Sequence, residues 1–132
     1  MKILKLICII ILALSMSAKA DIRIVPAQYS TIQSAINASI NRDTVLVQPG
    51  TYFENINFRG KNIVLTSKYY QNSDYSFIQT TIINGSTPQF PDSASCVIFN
   101  RNEDSTTVLQ GFTITGGSGT KWTDEHGAGL YR

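Results

Sequence analysis

The stretch from Ser30 to Ser67 constrains the fold most, because a helical apolar pattern gives way there to short strand-like runs at closely spaced turns. Ile32, Ala35, Ile36 and Ile40 recur at helical spacing and define one apolar face. Ser30-Thr-Ile-Gln33 matches a capping box, in which hydroxyl and amide side chains satisfy free backbone N–H groups. Together these signals predict a helix over 31–40. Beyond it the period changes: Thr44–Gln48, Glu54–Phe58 and Ile63–Thr66 are short runs rich in Val, Ile and Leu, divided by Pro49-Gly50 and Arg59-Gly60. Thr80–Ile83, Cys96–Phe99, Thr107–Leu109 and Phe112–Thr115 continue the series.

The links between these runs are unequal, and two of them, Lys68–Gln79 and Ser86–Ser95, exceed the two to five residues of a simple hairpin. Fully apolar runs such as Val45-Leu-Val47 fit strands covered on both faces, as in parallel stacking. A coil of this kind does not bury its apolar face alone and requires further coils stacked on it. Apolar residues at both strand parities then require loops lying over the outer face. Asn57, Asn62, Asn84 and Asn100 sit near strand ends, where left-handed corners and coil-to-coil side-chain ladders are expected.

Residues 1–20 read as a cleaved secretory leader: Lys2 and Lys5 are followed by the apolar run Leu6–Met16 and by small residues at Ala18-Lys19-Ala20. The apolar run falls short of the roughly 20 residues needed to span a bilayer. The leader carries Lys2, Lys5 and Lys19 of the 11 basic residues, so Asp21–Arg132 holds 8 against 9 acids, a net charge of −1. No basic cluster remains, which argues against nucleic acid as partner. Cys96, the single cysteine after residue 20, lies in an apolar run and is expected to be a buried, inert thiol without a disulfide partner in the chain.

Thr31-Ile-Gln-Ser-Ala-Ile36, Asp43-Thr-Val-Leu-Val47, Pro49-Gly-Thr-Tyr52, Glu54-Asn-Ile56 and Gly60-Lys-Asn-Ile63 resemble the opening of pectin-lyase-like right-handed parallel β-helix proteins. Phe112-Thr-Ile-Thr-Gly-Gly117 and Gly127-Ala-Gly-Leu130 are similar to repeat units of large exported bacterial members of that group. The resemblance covers Ile24 to Arg132. It implies an all-β fold, a right-handed parallel β-helix solenoid, with an N-terminal capping α-helix at 31–40, coils over 44–132 and truncation at the C-terminus. It further implies that the helix covers the first coil, that Tyr52 lies against that coil and that Glu54 is a structural carboxylate at a corner. Gly50, Tyr52 and Glu54 also match the opening of pectinesterases, but the later aspartate, glutamine and arginine motifs of that family are absent.

Candidate chemistry is sparse, and no catalytic, cofactor-binding or metal-ligating residue is assigned. Asp124, Glu125 and His126 are adjacent on one loop, and consecutive residues rarely converge on one ion. Asp74, Asp92, Asp104 and Asp124 fall in loops rather than in facing pairs of the kind glycoside hydrolysis needs. Arg59 and Lys61 flank Gly60 and offer positive charge to an acidic sugar, with a solvated turn as the alternative. Aromatic residues are the other carbohydrate handle: Tyr69, Tyr70 and Trp122 are the candidate contacts, with Tyr75, Phe77 and Phe90 in the same excursions. The expected function is that of an exported, non-catalytic β-helix segment in surface attachment or polysaccharide binding, secreted or at a bacterial cell surface, with self-association through an open last coil. The rival is part of a carbohydrate-active enzyme, pectinesterase- or polysaccharide-lyase-like, whose active site lies beyond residue 132. A fragment without separate function is the third reading.

Overall fold

The computed structural model describes residues 19–123 and 129–131. Strands dominate, and helices are few and short. In chain order the elements are β1 (Ile22–Val25), α1 (Ile32–Ala38), β2 (Thr44–Val47), β3 (Gly50–Phe53), β4 (Ile56–Asn57), β5 (Val64–Ser67), α2 (Tyr69–Asn72), α3 (Ser76–Thr80) and β6 (Thr81–Asn84). They continue with β7 (Ser93–Ala94), β8 (Val97–Ile98), β9 (Val108–Gln110), β10 (Thr113–Thr115), β11 (Gly119–Thr123) and β12 (Gly129–Tyr131).

Three ladders are wholly parallel: β1-β2-β5-β9, β3-β6-β10 and β4-β8. Each pass of the chain returns to the same ladders, so Val45 stands beside Leu65 and then Leu109, while Tyr52 stands beside Ile83 and then Ile114. These columns feed the core, in which Val25, Val45, Val47, Ile56, Phe58, Ile63, Leu65 and Ile83 are completely buried. Both parities of β2 and β5 are covered, since Leu46, Thr66 and Ser67 are buried as well. The parallel stacking expected of 44–132 stops at β11, which runs antiparallel to β7 and to β12. The cause is a glycine turn: Gly116, at φ +74°, and Gly117 send the chain back past β7, where Ser118 N–H donates to Ala94 O and Lys121 N–H to Asp92 O.

The helix is shorter than predicted and starts from a different cap. Thr31 is the N-cap, and its box partner is Ser34: Ser34 N–H donates to Thr31 Oγ1 at 3.1 Å and Thr31 N–H to Ser34 Oγ at 3.3 Å. Gln33 is thereby released, and its amide pairs with the edge of β4, receiving Asn57 N–H at 2.8 Å and donating to Asn57 O at 3.1 Å. At the other end Ser39 turns extended (φ −76°, ψ 153°), and Asp43 Oδ2 captures Ile40 N–H at 2.8 Å. Ile32, Ala35 and Ile36 therefore face the core, whereas Ile40 lies outside the helix and is 53% exposed.

Glu54 holds the start of α1, with its two carboxylate oxygens accepting Ile32 N–H at 2.8 Å and Gln33 N–H at 2.9 Å. Lys61 holds the end, donating from Nζ to Ile36 O and Asn37 O, and Arg23 donates to Ala38 O at 3.0 Å. An anion at the N-terminus and cations at the C-terminus both oppose the helix dipole favourably. Glu54→Ala is expected to lower stability by about 1–2 kcal/mol, the cost of an N-cap removed at a partly covered helix end. Hydrogen exchange would show Ile32 and Gln33 amides losing protection first; unchanged protection would contradict this role.

The left-handed corners fall on other residues than those expected. Arg42, Arg59, Ser73 and Asn102 have positive φ, and Asn57, Asn62, Asn84 and Asn100 do not. Side-chain ladders do form. Asn62 bonds Asp104 in both directions, its Nδ2 donating at 2.8 Å and its Oδ1 accepting Asp104 N–H at 3.0 Å, while Asn41 Oδ1 accepts Asn62 N–H. Asn57 reaches Asn100 at 3.4 Å. Among the described residues no helix is long and apolar enough to cross a membrane.

Candidate functional site

The β4-β8 ladder carries a polar concavity. Pairing of Ile56 with Val97 and of Asn57 with Ile98 brings two segments 41 residues apart into one wall. Asn55, Asn57 and Arg59 on one segment and Ile98 and Arg101 on the other line the concavity. Gln33 closes the groove from α1, Gln89 and Phe90 close it from the β6–β7 connection, and Ser93 closes it from the start of β7. Its volume is about 430 Å³.

The turn beneath is fixed by backbone demands. Arg59 takes φ +56° and Gly60 φ +76°, and a Cβ on Gly60 would collide with the carbonyl oxygen of Arg101. Glu103 binds that junction from behind, accepting Gly60 N–H and Arg101 N–H, each at 2.8 Å. Burial opposes ionisation of Glu103, but these N–H donors outweigh it and hold its pKa below the ordinary carboxylate value. The two guanidinium groups are left for solvent or ligand: Arg59 and Arg101 are exposed, and ion pairs among the described residues involve only Arg23.

The groove offers two planar cationic forks, several amides and one apolar ring. Phe90 is 64% exposed. Asn55 donates from Nδ2 to Gly85 O and Ser95 O, while its Oδ1 is buried without a hydrogen-bond partner. Among the described residues no carboxylate lines the cavity, so these residues form no acid–base pair for glycoside cleavage there. Among the described residues no three His, Cys, Asp or Glu side chains gather in a way that would hold a metal.

Tyr69 and Tyr70 lie elsewhere, on α2 in the 68–80 excursion. Tyr69 packs against Tyr75 with ring centroids 5.5 Å apart, and Tyr70 is 64% exposed. Trp122 lies on β11, and its side chain falls outside the described residues, as does the loop Asp124, Glu125 and His126. The chain does not bring the two tyrosines to the groove. Arg59 and Phe90 are groove residues that the sequence pointed to; Gln33 carried the signal of a helix cap, and Gln89 and Arg101 carried no signal of their own. Cys96 is buried and free, its thiol pushed up by burial and its Sγ 3.4 Å from Ile83 O, which leaves it unreactive. Comparison with protein-family models, with curated proteins and with solved structures returns no match for this chain.

Proposed function

We propose that the chain is the N-terminal part of an exported, non-catalytic right-handed parallel β-helix that binds polysaccharide through the β4-β8 groove. The fold reading is supported by successive passes returning to the same parallel ladders, with α1 laid over the first of them. The hand follows the strong right-handed preference of parallel crossover connections. Export is supported by the leader pattern of residues 1–20. A secreted or cell-surface role in attachment is the corresponding place of action.

One observation carries the binding reading: Arg59, Arg101, Gln33, Gln89 and the exposed ring of Phe90 converge on a groove that no carboxylate of the described residues lines. Aromatic faces cover the apolar faces of sugar rings, amides bond their hydroxyls, and guanidinium forks take acidic substituents in bidentate fashion. Titration calorimetry against acidic and neutral polysaccharides tests it. Binding is expected to favour the acidic polymer and to weaken with salt. Phe90→Ala and Arg101→Ala should each cut affinity roughly 10-fold at unchanged melting temperature. Equal affinity in these variants, or release of reducing ends by the protein, would overturn the reading.

A further inference from the structure

Asp43 is completely buried just after α1, and its acceptors reach the point where the leader would be removed. Asp43 Oδ1 accepts the backbone N–H of Asp21 at 2.9 Å, Oδ2 accepts Ile40 N–H at 2.8 Å, and Arg23 Nη2 stands 3.1 Å from Oδ2. Lys19, Ala20 and Asp21 are all exposed, so the Ala20–Asp21 bond is open to a peptidase.

We propose that cleavage at Ala20–Asp21 completes an ionic clasp, in which the new α-ammonium group of the exposed Asp21 binds the buried Asp43 carboxylate. The inference rests on the leader reading of residues 1–20. The covalent step is hydrolysis by a leader peptidase: water is consumed, Ala20 leaves with a carboxylate, and the Asp21 nitrogen, formerly an amide, becomes a protonated amine. That nitrogen already sits at hydrogen-bond distance, so cleavage places the positive charge against the Asp43 carboxylate. The bond then changes from a neutral donor on a carboxylate to a charge-assisted one, which is shorter and stronger. The charged groups acting on Asp43 are Arg23 from β1 and Lys61 from the turn before β5, and the Asp21 carboxylate lies 3.9 Å from Arg23. Processing thus stabilises the same junction that ties β1 to the end of α1, and the exported form is held more firmly than the precursor.

The sign of the pH dependence is fixed. An α-amino group ordinarily titrates near 7.7–8.0, and an anionic partner raises that value in the folded chain. The added stability is full below the unfolded value and is lost as pH rises through the folded one. Three chains decide the matter: one beginning at Asp21 with a free amine, the same chain Nα-acetylated, and one retaining Ala20. At pH 6 the free-amine chain is expected to melt about 5 °C above the other two, a gap that closes by pH 10. Asp43→Asn should abolish the gap; if that variant does not fold, the comparison of free and acetylated chains across pH decides alone. Equal melting of these two at pH 6 would overturn the clasp. N-terminal sequencing of the exported protein separately tests the leader, since a start other than Asp21 would sink that reading whatever the melting curves show.

Discussion

Replacing Asp43 by alanine is expected to destabilise the protein by about 3–5 kcal/mol, the penalty of leaving a buried partner charge uncompensated. The charge left behind is Arg23, whose side chain is 15% exposed, whose Nε is already buried without a hydrogen-bond partner, and whose remaining carboxylate, the exposed Asp21, stands 3.9 Å away. The N–H groups of Asp21 and Ile40 lose their acceptor at the same stroke. In a chain of this size the loss lowers the melting temperature by more than about 10 °C. Because the penalty comes largely from Arg23, adding Arg23→Met to Asp43→Ala should recover part of it, and a double-mutant cycle measures that coupling. Burial opposes ionisation of Asp43, but the two N–H donors, Arg23 and Lys61 outweigh it and keep its pKa below the ordinary carboxylate value. A lowered folded pKa gives stability that is present above the unfolded value and lost as pH falls through the folded one. The wild type should therefore show an acid-side decline in melting temperature that is shallower in Asp43→Ala, where Glu103 still contributes its own share. A variant within about 1 kcal/mol of wild type would remove Asp43 from this role.

The parallel ladders were legible because the runs at Thr44, Ile63 and Phe112 are short, apolar and unequally linked, and hairpins do not accommodate those links. The edges of the elements were not legible, for identifiable reasons. Ser30 and Gln33 satisfy the local rule for a capping box, but Glu54, 22 residues away, supplies acceptors to Ile32 and Gln33 N–H. With Ser34 as the box partner of Thr31 and Glu54 on these two N–H groups, the Gln33 side chain is left for the edge of β4. Ile40 keeps the helical period, yet Ser39 and Asp43 end the helix before it. Burial of both parities in β2 was visible as an uninterrupted apolar run, and the buried state of Leu46 agrees with it. The candidate groove was hidden by distance along the chain. Gln33, Arg59, Phe90 and Arg101 come together only through the Asn57–Ile98 register, and no local pattern encodes a pairing across 41 residues. The antiparallel return of β11 depends on Gly116 taking a left-handed conformation, which a Gly-Gly pair permits but does not dictate.

Phe58→Ala is expected to cost about 3–5 kcal/mol and to weaken the groove along with the core. The ring is completely buried within the cluster that includes Ile36, Ile56, Ile63 and Leu65, and it stacks on Phe99 with centroids 4.3 Å apart and planes 27° apart. Its backbone N–H donates to Ile98 O at 3.1 Å, immediately beyond the Asn57–Ile98 pair that forms the groove wall. Truncation leaves a cavity that this wall relaxes into, so Arg59 and Arg101 lose their fixed separation. Phe58→Leu keeps most of the volume and should lose less than half as much stability. Phe99→Ala should also lose less, because Phe99 is 48% exposed and its removal opens no closed cavity. Denaturant unfolding ranks the three variants, and calorimetry below their melting temperatures reads affinity for the acidic polymer. The order expected in both measurements places Phe58→Ala last. Full ligand affinity in a Phe58→Ala protein that has lost 3 kcal/mol or more would mean that the groove is held by the Gly60–Glu103 junction alone and owes nothing to the core beneath it.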